Sequence, residues 1–271
     1  MKTIFYTIIG ASHYAGCRTD EMIYTFKKFH PDIELRVFGQ ADIDRVFATD
    51  PRLNFYNSKA TFALEVYKEH EKLFRGDYEI ERNELLVVNI DADHLIFDRL
   101  DSILAADYDV ACPANCNAME NSRLLTRSES SLIGTRAHEN ELFSFNEYIQ
   151  GGLVASTNYD FWKHYEYASL NFSHKFGLME NDVLNIVCKM FPYKFKYLEG
   201  HYLSESPDFT AYYGCASLGR ERNATVNKGK VYLQGKPIKL YHYARGGVQK
   251  PPHSAVWSSP VVDYIQNNLL R

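Results

Sequence analysis

The sequence contains no run of about 18 consecutive apolar residues, the length that a membrane-crossing helix requires. Its opening segment, MKTIFYTIIG, has an apolar core too short for a secretory leader, so it is expected to be a buried first strand. Basic residues are not in excess. The 30 Lys and Arg against 34 Asp and Glu leave a formal charge of −4, which predicts no nucleic-acid partner. The five cysteines (Cys17, Cys112, Cys116, Cys188 and Cys215) form neither a disulfide framework nor a zinc knuckle. Cys112 and Cys116 have no second pair at finger-like distance. A reducing, cytoplasmic setting fits this usage. No internal repeat and no long linker interrupts the chain.

What is present suits one α/β domain over residues 1–271, with a C-terminal extension from about residue 243. Hydrophobic residues make up 45% and charged residues 24%, as in ordinary globular chains. The 20 Tyr and 17 Phe are expected mainly in the core, Trp162 with them.

Ile4 to Ile9 read as a buried strand ending at Gly10. Thr19 is placed to cap a helix with Asp20 and Glu21 in its first turn and Met22, Ile23, Phe26 and Phe29 at helical spacing. Ile33 to Phe38 alternate as a second strand. This β-α-β opening predicts a mainly parallel sheet. Ser58 is expected to cap a further helix, with Ala60, Ala63, Tyr67 and His70 along one face. Glu84 to Ile90 form another strand, and Tyr108 to Pro113 a later one, with a short helix over Arg99 to Leu104 between them. Residues 114–147 read as an irregular, polar insertion. Helices are expected from Asn158 or Tyr159 to Leu170 and from Glu180 to Met190. Late strands are expected at Lys194–Leu198 and Ile238–His242.

The strand ending at Ile90 is followed by Asp91-Ala92-Asp93, at the sheet edge where open α/β folds bind ligands. If strand geometry persists to Asp93, the two carboxylates point the same way. Paired carboxylates resist joint ionisation unless a cation lies between them. Mg²⁺ or Mn²⁺ held this way commonly completes its shell with substrate phosphates. A D-x-D taken alone is most often two acids in a solvated loop, so the weight falls on its companions.

Leu86 to Asp93, followed by Ile96-Phe97 and Leu100, resembles the metal-binding segment of GT-A glycosyltransferases. The likeness is greatest to retaining ones such as glycogenin and bacterial lipopolysaccharide galactosyltransferases. Three further segments follow in the family's order. Gln150-Gly151-Gly152-Leu153-Val154 is similar to the small-residue turn beside the donor sugar, with Gln and Gly replacing Asn and a small residue. Glu180-Asn181-Asp182-Val183-Leu184-Asn185 resembles the family's Asp-Gln-Asp-x-Leu-Asn. Leu240-Tyr241-His242 with Gly246, Gly247 and Lys250-Pro251 resembles its terminal His…Gly…Lys-Pro element. There the spacing from His to Gly is longer by one or two residues, and Pro252 replaces a usual Trp.

The resemblance implies a GT-A, Rossmann-like mixed sheet, mainly parallel and flanked by helices. It implies Asp91, Asp93 and His242 as metal ligands, with Asp91 also reaching the donor ribose. It implies Lys250 at the diphosphate, with Lys59 sharing that charge, and Gln150, Gly151 and Gly152 beside the donor. Tyr14 is expected to meet the nucleobase. Glu180, Asn181 and Asp182 are expected under the donor sugar, with Asn181 near the anomeric carbon. An imidazole beside carboxylates suits Mn²⁺ better than Mg²⁺, which stays the alternative. The expected partners are a UDP-sugar and a glycan or other hydroxyl acceptor.

The same residues leave other readings open. Acids at the start of the Glu180 helix also complement its dipole, and a carboxylate there also suits a general base for inversion. A nucleotidyltransferase acting on sugar phosphates uses a similar carboxylate pair, but Gly10 to Gly16 lacks the Lys and Arg of such loops. A non-catalytic nucleotide- or glycan-binding homologue is the third reading.

Overall fold

The computed structural model describes residues 1–11, 19–73, 84–113, 149–173, 178, 180–198, 211–213, 224–228, 230–233, 236–237 and 239–242. The expectations for Tyr14, Lys250, the 114–147 insertion and the C-terminal extension lie outside these residues.

Strands β1 (Lys2–Ile8) and β2 (Glu34–Phe38) pair in parallel, joined by helix α1 (Thr19–Phe29). The β-α-β unit follows from the pattern of apolar residues: Met22 and Phe26 on α1 are fully buried, and Asp20 and Glu21 occupy its first turn. Helix α2 (Gln40–Phe47) comes next, an element that the sequence reading did not anticipate. Helix α3 (Lys59–Leu73) buries Ala60, Phe62, Ala63, Val66 and Tyr67. Ser58 precedes it and its carbonyl accepts from Phe62 N at 3.0 Å, but its buried hydroxyl has no partner among the described residues. The expected side-chain cap is therefore absent, and the backbone alone starts the helix.

Strand β3 (Leu85–Ile90) is buried throughout and pairs in parallel with β1. The run LLVVNI is apolar but for Asn89, as befits a strand covered on both sides. The short β4 (His94–Ile96), helix α4 (Asp101–Leu104) and β5 (Val110–Pro113) follow. Then come β6 (Leu153–Ser156), helix α5 (Tyr159–Ala168), a π-helical turn (Ser169–Ser173), helix α6 (Glu180–Met190) and β7 (Phe195–Leu198). Asn158 caps α5, its side-chain oxygen accepting from Asp160 N and Phe161 N.

The main sheet has the order β2-β1-β3-β6-β5-β7. Only β6 runs against its neighbours, pairing antiparallel with β3 and β5. One face packs Phe5, Leu86, Val88 and Ile90 under Met22 and Phe26 of α1. The other packs Tyr6, Val87 and Val154 under Phe62, Trp162, Tyr165 and Val183 of α3, α5 and α6. Two three-stranded sheets complete the fold. One joins β8 (Ala211–Tyr213) and β4 to either side of β12 (Leu240–His242). The other pairs β9 (Ala224–Asn227), β10 (Lys230–Leu233) and β11 (Lys236–Pro237). Among the described residues no helix is long and apolar enough to cross a membrane.

Candidate active site

The chain leaves β1 on one side to form β2 and on the other to form β3, so the sheet reverses its winding at the carboxyl ends of β1 and β3. Open α/β sheets bind ligands at this reversal. Because β6 runs antiparallel to β3, its entry turn, Gln150-Gly151-Gly152, arrives at the same edge. Asp91 N donates to Gly152 O at 2.8 Å.

Strand geometry stops at Ile90, and Ala92 and Asp93 form a turn. The condition for convergence by strand alternation is thus not met. The two acids instead flank Ala92, which is buried. The buried His94 pins this turn. Its Nδ1 lies 3.0 Å from Asp91 O and 3.6 Å from Asp93 Oδ1. The Asp91 and Asp93 side chains keep 29% and 14% of their surface open.

Lys59 projects from the first turn of α3 into the middle of this group. Its Nζ donates to Asp91 Oδ2 at 2.9 Å and to Gly151 O at 2.8 Å, and forms ion pairs with Asp91 Oδ1 and Glu180 Oε1 at 2.7 Å each. The ammonium is thus held between two carboxylates and a backbone carbonyl, all inside the protein. Burial opposes the charge on Lys59, but Asp91 and Glu180 more than offset it and hold its pKa above the ordinary lysine value. Tyr6, in the middle of β1, sets the position of this lysine by donating from its hydroxyl to Lys59 O at 2.6 Å. Burial first, and then Asp91 and Glu180, push the Tyr6 phenol far up, so it stays neutral. Tyr165 is raised by burial and then by Glu180.

Helix α6 supplies the far wall. Asn181 Oδ1 accepts from Gly151 N at 2.8 Å. Asn185, one turn on, clamps the turn from below: its Oδ1 accepts from Ile149 N at 2.9 Å, while its Nδ2 donates to Ile149 O at 2.9 Å and Asn181 O at 2.7 Å. Gly151 has to be glycine for packing. A Cβ there would overlap the Glu180 carboxylate and lie 3.1 Å from Asn181 Oδ1. Asp182 is fully buried within α6, and Gln150 is buried with its N–H on Pro113 O at 2.9 Å.

Strand β12 pairs antiparallel with β4 in a register that sets His242 opposite His94. This brings the backbone of residue 242 beside the residue that follows Asp93. Asp91, Asp93, Glu180, Asn181, Gly151, Gly152 and Lys59 thus meet at one edge, with His242 entering on the neighbouring strand. Among the described side chains no group of three metal-binding residues forms on its own. The Asp91 and Asp93 carboxylates at a partly open turn are oxygen donors of the kind that hard divalent cations take. Sequence reasoning missed the roles of Tyr6, His94 and Asn185. The signal for His94 was its position directly after the acid pair; for Asn185 it was the i+4 spacing from Asn181.

Neither a protein-family model nor a curated protein sequence matches the chain. Solved structures do. The chain is similar to the galactosyltransferase LgtC in complex with donor and acceptor sugar analogues, at 13% identity over 97% of this chain and 94% of that one, with a TM-score of 0.50. It is less closely superposable on the bifunctional glycosyltransferase WbbM (16% identity, 92% and 46% covered, TM-score 0.46). The same holds for mouse xyloside xylosyltransferase 1 (8% identity, 92% and 99% covered, TM-score 0.46). The order of strands, the single reversed strand β6 and the overlap with LgtC along nearly the whole chain establish the architecture: this protein has a GT-A fold.

Proposed function

We propose that the protein is a metal-dependent glycosyltransferase that moves a hexose from a UDP-sugar to an acceptor hydroxyl, with retention of anomeric configuration. The observation that carries this reading is the meeting of the Asp91-Ala92-Asp93 turn, the Gly151 turn and the Glu180–Asn181 helix start around Lys59. These are three segments distant in sequence that the family resemblance assigns to metal, donor sugar and anomeric centre. In the same reading Asp91, Asp93 and His242 hold Mn²⁺, or Mg²⁺ in its place, and Lys250 and Tyr14 attend the diphosphate and the base. When bound, the metal stabilises the departing diphosphate.

The chain's own residues supply position and charge. Glu180, held on Lys59, sets a carboxylate at the helix start as an acceptor for sugar hydroxyls. Asn181, fixed by Gly151 N, is held at the mouth where a glycosyl centre of oxocarbenium character would form. The free thiols of the buried Cys112 and the half-buried Cys188 fit a cytoplasmic setting.

Incubating the protein with Mn²⁺ and a panel of nucleotide-sugars, then assaying free nucleoside diphosphate, tests the reading. Diphosphate release is expected with a uridine donor. Asp93→Ala is expected to abolish it with little loss of fold. Full activity in that variant, or in excess chelator, refutes the metal role. Release of pyrophosphate would replace the reading with nucleotidyl transfer.

A further inference from the structure

The ammonium of Lys59 lies against the acids of the candidate site. It is nearly sealed from solvent, with 8% of its side chain exposed, and touches Asp91, Glu180 and Gly151 O at 2.7–2.8 Å. Asp93 and the buried Asp182 add two further carboxyl groups to the same strand end and helix start. A cation covalently fixed in the protein thus already balances one of the carboxylates that the proposed metal site needs.

We infer that Lys59 is an electrostatic gate: it competes with free divalent metal for Asp91, so that metal is taken up together with a nucleoside diphosphate and not alone. This rests on the metal-dependent reading above. Three observations support it. The Lys59 ammonium is held by two hydrogen bonds and by ion pairs to two carboxylates, so the lysine is anchored and not waiting for a phosphate. Its contact with Asp91 reaches both oxygens, at 2.7 and 2.9 Å, so a metal approaching Asp91 finds both of them engaged. Its second carboxylate, Glu180, sits on α6, so Lys59 keeps a partner when Asp91 turns toward a metal. A metal bearing a diphosphate brings its own negative charge and does not suffer the repulsion that Lys59 imposes on a bare dication. Lys59 is accordingly a positioning residue, acting through Asp91 and Glu180.

A merely structural lysine and a gate make opposite predictions for Lys59→Met. Loss of a brace loosens the acids and weakens metal binding. Loss of a competing cation tightens it. Mn²⁺ affinity without nucleotide, read from the free-ion electron paramagnetic resonance signal, should rise roughly 5- to 150-fold in Lys59→Met, the usual span of a coupling between two sites. Lys59→Arg, which keeps the cation, should bind free Mn²⁺ as weakly as the unaltered protein. If the unaltered protein binds Mn²⁺ with UDP but Lys59→Met binds free Mn²⁺ no more tightly, the gate is refuted and the transferase reading stands. If none of the proteins binds Mn²⁺ even with UDP, the metal reading falls and the gate with it. Should Lys59→Met fail to fold, the unaltered protein decides. Its Lys59 ammonium, followed by ¹⁵N-lysine NMR, should hold its position with Mg²⁺ alone and shift with Mg²⁺ and UDP. A shift with Mg²⁺ alone would overturn the inference.

Discussion

Gly151→Ala is the substitution whose outcome the geometry constrains most tightly. The new methyl would overlap Glu180 Oε1 and come within 3.1 Å of Asn181 Oδ1 and 3.2 Å of Glu180 Cδ. Glu180 is a flexible side chain, but its end is tied to Lys59 at 2.7 Å, so it cannot yield without breaking that pair. The gross attraction at this distance is about 6 kcal/mol at an effective dielectric near 20. Most of it is recovered, because Lys59 retains Asp91 and Gly151 O and the displaced carboxylate reaches water at the open edge. Overpacking of this kind costs about 1–3 kcal/mol net. For a chain of this size that lowers Tm by roughly 2–10 °C. Differential scanning calorimetry of Gly151→Ala, Glu180→Asp and the double variant measures it. Shortening Glu180 by one methylene makes room for the methyl, so the double variant should be more stable than the sum of the single losses predicts. Donor cleavage should fall in Gly151→Ala alone, because Glu180 no longer faces the sugar. A single variant with unchanged Tm and activity, or strict additivity, would refute the close packing of Gly151 against Glu180.

Other consequences are open to measurement. His30 is buried and neutral, its Nε2 accepting from Leu100 N at 3.0 Å, and burial first, then Arg99, lowers its pKa to about 4. A lowered folded-state pKa means that the unfolded chain takes up the proton first. This contribution is complete above about pH 6.5, shrinks as pH falls toward 4, and amounts to about 2.5 kcal/mol lost between pH 7 and 4.5. Denaturant melts at those two pH values should show a smaller difference for His30→Gln; an equal difference would exclude His30 as the source. Asn185→Leu removes the side-chain partners of the Ile149 N–H and C=O, and should cost about 2–4 kcal/mol while also lowering donor turnover, as equilibrium unfolding and the diphosphate assay would show. Retained stability and turnover would argue against the clamp.

The layered sheet was readable because its strands announce themselves. LLVVNI is buried on both faces and apolar but for Asn89, and the Met22, Phe26 and Glu180–Met190 patterns follow helical spacing with acids in the first turn. Helix α2 escaped notice because QADIDRVF buries only Ile43 and Val46, too few apolar positions to stand out from a surface loop. The short β4 and β8–β11 carry two to four residues each, at most two periods of strand alternation and too few to stand out. Within the site, residue types and order marked Asp91, Asp93, Gly151, Glu180 and Asn181. That Lys59 would bond to those acids was not legible. A basic residue at a helix start looks the same in sequence whether it faces a ligand or the protein's own carboxylates. The turn at Ala92–Asp93 was likewise hidden, because His94 pins it through a contact with the Asp91 carbonyl that no spacing rule describes.

The pairing of β4 with β12 has a consequence for the order in which the chain folds. It joins residue 94 to residue 242, so a loop of roughly 150 residues must close before it forms, at an entropic cost of about 4 kcal/mol. The β1-β2-β3 core and helices α1 and α3 close over much shorter spans. On a ribosome the Asp91-Ala92-Asp93 turn would therefore emerge and settle long before the strand carrying His242 is made. The acids would wait in that interval with Lys59 as their companion cation, already encoded 32 residues ahead of Asp91.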